Sequence, residues 1–322
     1  MVQKNMAVGK SLITPVPKDN KLKKIRKGLY KSRYLYIMIA PVVAYYIIFH
    51  YVPMYGAQIA FKDFNPFEGI WKSPWVGFKY FIQFFKSVYF WRLIRNTLGI
   101  NIYGIIVDFP MPIILALMIN EVRNRIFKKS VQTIVYLPHF ISTVVLVGML
   151  VSFLSPRSGF INGIIKDFGG QPIHFLSEPG WFKSIYVWSG VWQNAGWGSI
   201  IYLAALTGID PSLYEAAIID GSSRWQRLIY ITIPSLIPTI IIMLILRMGG
   251  LLNVGFEKIM LMYNPVTYET ADVISTYVYR RGILGAEYSF STAVGLFNSV
   301  VNFILLVSFN ALSRKISETS LW

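Results

Sequence analysis

The sequence predicts an all-α integral membrane protein with six transmembrane helices. Three observations predict it. Hydrophobic residues make up 54% of the 322-residue chain and charged residues 14%, against roughly 25% charged in an average soluble domain. The apolar residues are gathered into six runs long enough to cross a bilayer, continuous rather than alternating, which points to helices and not to a barrel. The charge is lopsided, with 31 Lys and Arg against 15 Asp and Glu, a net +16. On so apolar a chain, basic residues flanking the runs fit inner membrane loops better than a nucleic-acid surface. Disordered, collagen-like and coiled-coil classes are excluded by the same composition. The absence of cysteine excludes disulfides, thiolate metal sites and Cys nucleophiles.

Residues 1–33 form a basic arm with ten Lys and Arg. Such an arm before an apolar run can be a secretory signal, but the run at 34–55 is too long and no small-residue cleavage site follows it. The first span is therefore expected to be retained. Contact with anionic lipid is the simplest role for the arm; regulation of a partner is the alternative. Gly9-Lys10-Ser11 looks like the end of a phosphate loop, but Lys4 stands where the first Gly belongs and no strand precedes it.

The remaining spans are expected at 97–119, 131–153, 184–206, 236–252 and 291–312. A helix crosses the roughly 30 Å hydrocarbon core in about 20 residues. The fifth run is the shortest, yet 237–245 is almost unbroken Ile, Leu and Met. Pro41, Pro53, Pro110, Pro112 and Pro138 mark kinks, which spans tolerate. With the N-terminus inside, the inner intervals 1–33, 120–130, 207–235 and 313–322 carry 18 Lys and Arg in 83 residues. The outer intervals 56–96, 154–183 and 253–290 carry 12 in 109. That bias predicts N-in and C-in. The organisation is then a basic arm (1–33), a six-span domain (34–312) and an inner tail (313–322).

The inner interval 207–235 has its own organisation. Asp210-Pro211 is a helix start, with Asp as cap and Pro at the first helical position. A short helix over 212–220 comes next, and Gly221 suits a left-handed end. Ser223 with Gln226 is a capping box that opens a second helix, expected to stop at Pro234. By pattern alone, an ordinary amphipathic interfacial segment reads the same way.

Glu215-Ala216-Ala217, three residues, Gly221, nine residues and Ile231-Thr232-Ile233-Pro234 resemble the EAA loop of bacterial ABC-type import permeases. The family spacing is E-A-A-x3-G-x9-I-x-L-P, and only Ile233 departs from it. Residues 217–225 resemble the sugar-permease version. Trp75-Val76-Gly77-Phe78-Lys79-Tyr80-Phe81 is similar to the V-G-x-x-N-F segment before the second span of those permeases. Residues 247–254 and 264–275 resemble the subgroup for complex or acidic oligosaccharides, the lipoprotein-associated, alginate and pectin-fragment permeases. Together these likenesses cover about residues 30–315.

The resemblance implies a type I ABC importer permease fold in the bacterial inner or plasma membrane, with a cytoplasmic EAA coupling helix. It implies four kinds of partner: a second homologous permease, a dimer of ATP-binding subunits, an extracytoplasmic solute-binding protein and an oligosaccharide substrate. ATP and Mg would be bound by the partner ATPase, with no cofactor in this chain. The ATPase-coupling residues carried over are Glu215, Ala216, Ala217, Asp220 and Gly221. Their chemistry suits the role: the alanines permit close approach, Gly221 a sharp turn, and the two acids contact with basic groups. The outer aromatics, including Trp71, Trp75, Tyr277 and Tyr279, would offer the binding protein a docking surface.

No G-x-x-x-x-G-K-[ST] occurs, so the chain has no ATP site of its own. No catalytic constellation is visible, and His50, His139 and His174 lack metal-ligand spacing. Asp108 lies midway along the second span and Arg247 near the outer end of the fifth. A mid-bilayer charge costs about 2.5–3.5 kcal/mol on insertion scales, so each is expected to face protein or water. They can line a pathway, pair with each other, or, for Arg247, snorkel to the interface. The fourth span is the most polar, with Ser189, Gln193, Asn194 and Ser199 among Trp188, Trp192 and Trp197. Amides and rings suit a sugar, and equally suit interhelical hydrogen bonds and an aromatic belt. The candidate pathway residues are Trp192, Gln193, Asn194, Arg247, Asn253 and Glu257. The rival functions are a secondary transporter or channel using Asp108 and Arg247, and a membrane-embedded enzyme, for which no residue cluster speaks.

Overall fold

The computed structural model describes residues 28, 30–317, 320 and 321. Most of the basic arm 1–33 lies outside the described residues. The chain divides into two units, Met1–Gly56 and Ala57–Trp322. In the first, α1 (Arg33–Tyr46) continues through a wide i→i+5 turn, Ile47–Tyr51, into Val52–Met54. Pro53 accounts for the wide turn: it has no N–H to donate and its ring crowds the carbonyl four residues back, so the helix opens there instead of breaking.

The second unit is helical, with one isolated antiparallel bridge, Lys62 to Trp75, and no strand among the described residues. α2 (Phe90–Val107) and α3 (Pro110–Glu121) form the second apolar run and meet at Asp108 and Phe109, whose N–H groups both donate to the Gly104 carbonyl. α4 (Arg125–Tyr136) is capped by Asn124, whose side chain accepts from the N–H groups of Ile126 and Phe127. α5 (Thr143–Phe153) comes after a turn through Leu137–Phe140. α6 (Pro179–Thr207), α7 (Pro211–Ile219), α8 (Arg224–Arg227), α9 (Ile233–Met248), α10 (Phe256–Met262), α11 (Ile274–Tyr279) and α12 (Tyr288–Ser317) complete the chain.

Four helical runs are long and apolar enough to cross a membrane: Arg33–Phe61, Phe90–Glu121, Arg224–Met248 and Tyr288–Lys315. A fifth is added if Arg125–Phe140 and Thr143–Phe153, which meet at 96°, make one span. The expectation of a third span over 131–153 is corrected accordingly: the helix starts six residues earlier, at Arg125, and it turns sharply after Pro138. α6 has the length, at 29 residues, but Gln193 and Asn194 interrupt its apolar character at mid-length.

The helix expected to stop at Pro234 does not stop. α8 runs through a wide turn, Leu228–Thr232, straight into α9, giving one helix Arg224–Met248. As before Pro53, the widened turn leaves room for the proline ring and needs no N–H from it. The intervals expected to be outer loops also contain short helices, α10 and α11 among them.

Three buried clusters hold the second unit together, and the α2–α3 run contributes to each. Ile100 packs with Val147, Phe182, Val254, Ile259 and Met262. Leu93 packs with Phe84, Leu252, Ile274, Tyr277 and Phe290. Ala116 and Ile119 pack with Tyr202, Leu203, Leu206 and Leu236. Within lipid such contacts act through close packing more than through water exclusion, which favours small residues where backbones meet. Gly196 is the tightest case: a Cβ built there would lie 1.9 Å from the Val135 carbonyl oxygen, so α6 and α4 touch backbone to backbone.

A buried ion cluster pins the segment before α11 to α2. Asp272 has no exposure and accepts from Arg280 at 2.8 and 2.7 Å and from Arg92 at 3.4 Å. Asn96 on α2 donates to the carbonyls of Glu269 and Asp272, at 2.8 and 3.0 Å. The hydrogen bonds that Arg280 donates to Asp272 hold its guanidinium above its ordinary pKa, so its charge is secure.

Candidate functional site

Two places concentrate polar groups, a cavity among the helices and the exposed segment around α7. The cavity measures about 180 Å³. Helical periodicity builds its walls. Asn101, Gly104 and Asp108 lie at i, i+3 and i+7 along α2 and share a face. Tyr186, Gly190, Gln193 and Asn194 do the same on α6. Arg247 enters from the end of α9, while Asn253, Gly255 and Lys258 come from the turn beyond it and from α10.

The polar side chains are held from behind. Asn101 Nδ2 donates to the Leu251 carbonyl at 2.8 Å. Gln193 Nε2 donates to the Ile141 carbonyl at 2.8 Å, where the third run bends. Asn194 Oδ1 lies 3.0 Å from His139 Nδ1, and the His139 ring stacks on Trp197 with centroids 4.6 Å apart. Asn253 Oδ1 accepts from Asn298 at 2.9 Å and from Asn302 at 3.2 Å, both on α12. Lys258 is 8% exposed; its Nζ donates to the Tyr186 carbonyl at 2.8 Å and lies 4.6 Å from the Tyr186 ring centroid. Arg247 Nη2 is 3.3 Å from Asp108 Oδ2. The ion pair and the cavity wall, alternatives in sequence, are the same residues.

Of the six candidate pathway residues, the fold brings Gln193, Asn194, Arg247 and Asn253 to this cavity. Trp192 is elsewhere. It lines an apolar groove with Leu146, Met149, Phe153 and Trp188, because residues 188 and 192 share a helix face that 190, 193 and 194 do not. Trp188 and Trp192 therefore belong to a different surface from Gln193 and Asn194. Glu257 is exposed and lies outside the cavity wall, one residue before Lys258, which does line it. Sequence reasoning passed over Lys258, Tyr186 and Asn101. Asn101 carried a readable signal, an amide on the same face of an apolar run as Asp108; Lys258 carried none, because a basic residue between spans looks solvated.

The segment around α7 has the local structure its residues dictate. Asp210 Oδ1 accepts from the Ser212 N–H at 2.9 Å, and Pro211 opens the helix. Gly221 ends it at φ +79°. The Ser223 and Gln226 capping box is formed, at 2.7 and 3.3 Å. Glu215, Ala216, Asp220 and Gly221 are exposed and Ala217 half-buried. Ile219 and Trp225 stand out of the surface, 85% and 72% exposed. Two contacts tie this segment together and to the foot of the long helix: Tyr214 Oη lies 2.9 Å from Thr232 Oγ1, and Arg227 Nη1 donates to the Ser222 carbonyl at 2.9 Å. No group of three or more His, Asp and Glu placed to hold a metal ion occurs among the described residues.

Comparison with known proteins places this architecture. A family model described as "Binding-protein-dependent transport system inner membrane component" matches residues 109–318. The chain is 45% identical over 295 residues to Protein LplB of Bacillus subtilis (strain 168), covering 92% of this chain and 93% of the relative. It is 43% identical over 305 residues to the polygalacturonan/rhamnogalacturonan transport system permease protein YteP of the same organism, covering 95% of each. Among solved structures, it superposes with a TM-score of 0.85 at 47% identity on a chain of a bacterial ABC transporter involved in the import of the acidic polysaccharide alginate. That match covers 91% of this chain and 99% of the other. A second structure of a bacterial alginate ABC transporter, in complex with an alginate pentasaccharide-bound periplasmic protein, matches at 46% identity with the same TM-score. With a family model over well more than half its length and relatives matched nearly end to end, the chain belongs to the inner membrane components of binding-protein-dependent transport systems.

Proposed function

We propose that this chain is the permease subunit of an ATP-driven ABC importer and that, with a second homologous permease, it forms the membrane pathway for oligosaccharides. The cargo class is acidic polysaccharide fragments, handed over by an extracytoplasmic solute-binding protein. The observation that carries this reading is one continuous helix. Arg224–Met248 begins beside the capped segment that contains Glu215–Gly221 and ends at Arg247 in the cavity wall. A short helix fixed at both ends and tied to the foot of that long helix can move it as a lever when a docked ATPase closes. Exposed Glu215, Asp220, Ile219 and Trp225 offer that ATPase charge and apolar surface.

The basic bias of 1–33, 120–130, 207–235 and 313–322 supports both ends in the cytoplasm and so an even number of spans, six when α6 is counted as the fourth despite its amides. That orientation puts α7 where an ATPase can reach it, and ATP and Mg belong to that partner. The relatives named for polygalacturonan/rhamnogalacturonan transport and for alginate import support an acidic cargo. Reconstitution in proteoliposomes with the partner permease, ATPase and binding protein tests the proposal. Uptake is expected to require ATP hydrolysis and to persist when the proton gradient is dissipated. Uptake that collapses with the gradient while ATP remains would overturn it in favour of a proton-coupled carrier using Asp108.

A further inference from the structure

The charge of the cavity does not balance. Its wall holds two cations, Arg247 and Lys258, and one carboxylate, Asp108, among the described residues. A cation withdrawn from water needs a counter-charge or dense hydrogen bonding. Lys258, 8% exposed, has one carbonyl and one aromatic face. Among the described residues Arg247 has a single long ion pair, with Asp108 at 3.3 Å, where side-chain exposures are 43% and 26%. The Asp272–Arg280 pair in the same molecule shows what a locked pair looks like: two contacts at 2.8 and 2.7 Å around a carboxylate with no exposure. Charge-assisted bonds of about 2.7–2.9 Å are the strong ones; the Arg247–Asp108 contact is longer, open on one side and exchangeable.

Two glycines keep the cationic heads facing the cavity. A Cβ at Gly104 would press on Arg247 Nη2 at 3.2 Å, and one at Gly190 would reach Lys258 Nζ at 3.5 Å. Neutral donors and acceptors complete the wall, with Asn194, Gln193 and Asn253 near enough to meet hydroxyl groups. The volume, about 180 Å³, is below the roughly 300–1,000 Å³ of drug-sized ligand sites, a size for one unit of a chain passing through.

We infer that Arg247 and Lys258 form a carboxylate-reading subsite, at which the carboxylate of a uronate unit takes the place of Asp108 on Arg247 and gives Lys258 the direct ion pair that Asp108, acting on it from beyond contact distance, does not supply. This rests on the reading of the cavity as part of the transport pathway. Asp108 then acts as an internal competitor: it keeps Arg247 neutralised while the pathway is empty and yields it when an acidic sugar arrives. A neutral sugar of the same shape offers no charge to exchange and leaves the pair closed.

The test is equilibrium binding of a uronate trisaccharide and of its carboxyl-reduced, neutral counterpart. It uses the complete importer in lipid nanodiscs without the binding protein, so that selection by that partner does not intervene. The uronate should bind about ten-fold more tightly than the neutral sugar. Lys258→Gln should erase that preference, and Lys258→Arg, which keeps the charge, should retain it, separating charge reading from loss of fold. Asp108→Asn should tighten uronate binding several-fold relative to its effect on the neutral sugar, so that the ratio of the two affinities rises. Equal binding of both sugars by the parental importer, or a preference that survives Lys258→Gln, overturns the subsite. Weaker uronate binding in Asp108→Asn overturns the exchange. Binding of neither sugar removes the pathway reading itself.

Discussion

Tyr214 Oη and Thr232 Oγ1 lie 2.9 Å apart, joining the middle of α7 to the wide turn from which the helix to Arg247 departs. Thr232 is 3% exposed and also donates to the Arg227 carbonyl at 3.3 Å, so the hydroxyl pair sits in a fixed frame. On the proposed reading, this bond is where motion of α7 would pass into the long helix.

Tyr214→Phe and Thr232→Val each remove this contact without removing bulk. A neutral hydrogen bond contributes about 0.5–1.5 kcal/mol, too little to unfold the chain and enough to loosen the joint. We predict that sugar transported per ATP hydrolysed falls several-fold in either variant while co-purification of the ATPase is unchanged. An unaltered ratio in both would show that the joint transmits nothing.

Gly221 separates conformation from bulk. Its φ of +79° is left-handed, yet a Cβ there would meet nothing within 4 Å in this chain. An L-residue in that region is strained by about 1–2 kcal/mol, least for Asn. We predict graded loss of coupling, measured as uptake per ATP, with Gly221→Asn mildest, Gly221→Ala intermediate and Gly221→Val worst. If Asn damages coupling as much as Val, contact with the partner decides instead of the backbone.

Asp272 is buried with two arginines around it. Removing one partner of a buried ion pair costs about 3–5 kcal/mol because a charge is left uncompensated. Asp272→Asn should therefore lower the thermal unfolding midpoint of the purified chain markedly. Replacing Asp272 by Leu and Arg280 by Met together should restore much of the loss, and failure of that rescue would mean the cluster is needed for more than its charge balance.

Two helix glycines should respond in opposite ways. Gly196→Ala drives a methyl group into the Val135 carbonyl, 1.9 Å from where the Cβ must sit, and should impair folding or assembly. Gly295→Ala, on α12 with nothing within 4 Å, should be neutral or stabilising by about 0.5–1 kcal/mol, since Ala favours helix over Gly. Thermal midpoints of the two variants, measured side by side, check both statements.

Much of this molecule is legible in its order of residues because the governing forces are local. An apolar run must be helical in lipid whatever its neighbours are, since its backbone groups have no other partners. Asp210, Pro211, Gly221, Ser223 and Gln226 act on the backbone within four residues, so the capped segment around α7 is legible from sequence. Proline is less legible: Pro234 argues for a helix end, but the widened turn before it turns an end into a continuation.

The cavity is not legible in the same way. Periodicity alone can gather Asn101 with Asp108, or Gln193 with Asn194, onto a helix face. Which faces meet depends on how α2, α6 and α9 pack, a matter of small residues such as Gly196 and of contacts between residues more than a hundred positions apart. Trp192, adjacent in sequence to Gln193, points to a different surface, and Lys258, hidden between spans, joins a wall built by helices it does not belong to. Sequence alone was sufficient for most of the long apolar helices and for the caps around α7, because hydrogen bonding and hydropathy are satisfied within a segment. The meeting of Arg247, Lys258 and Asp108 came only with the packed helices, because a charge balance is a property of neighbours in space.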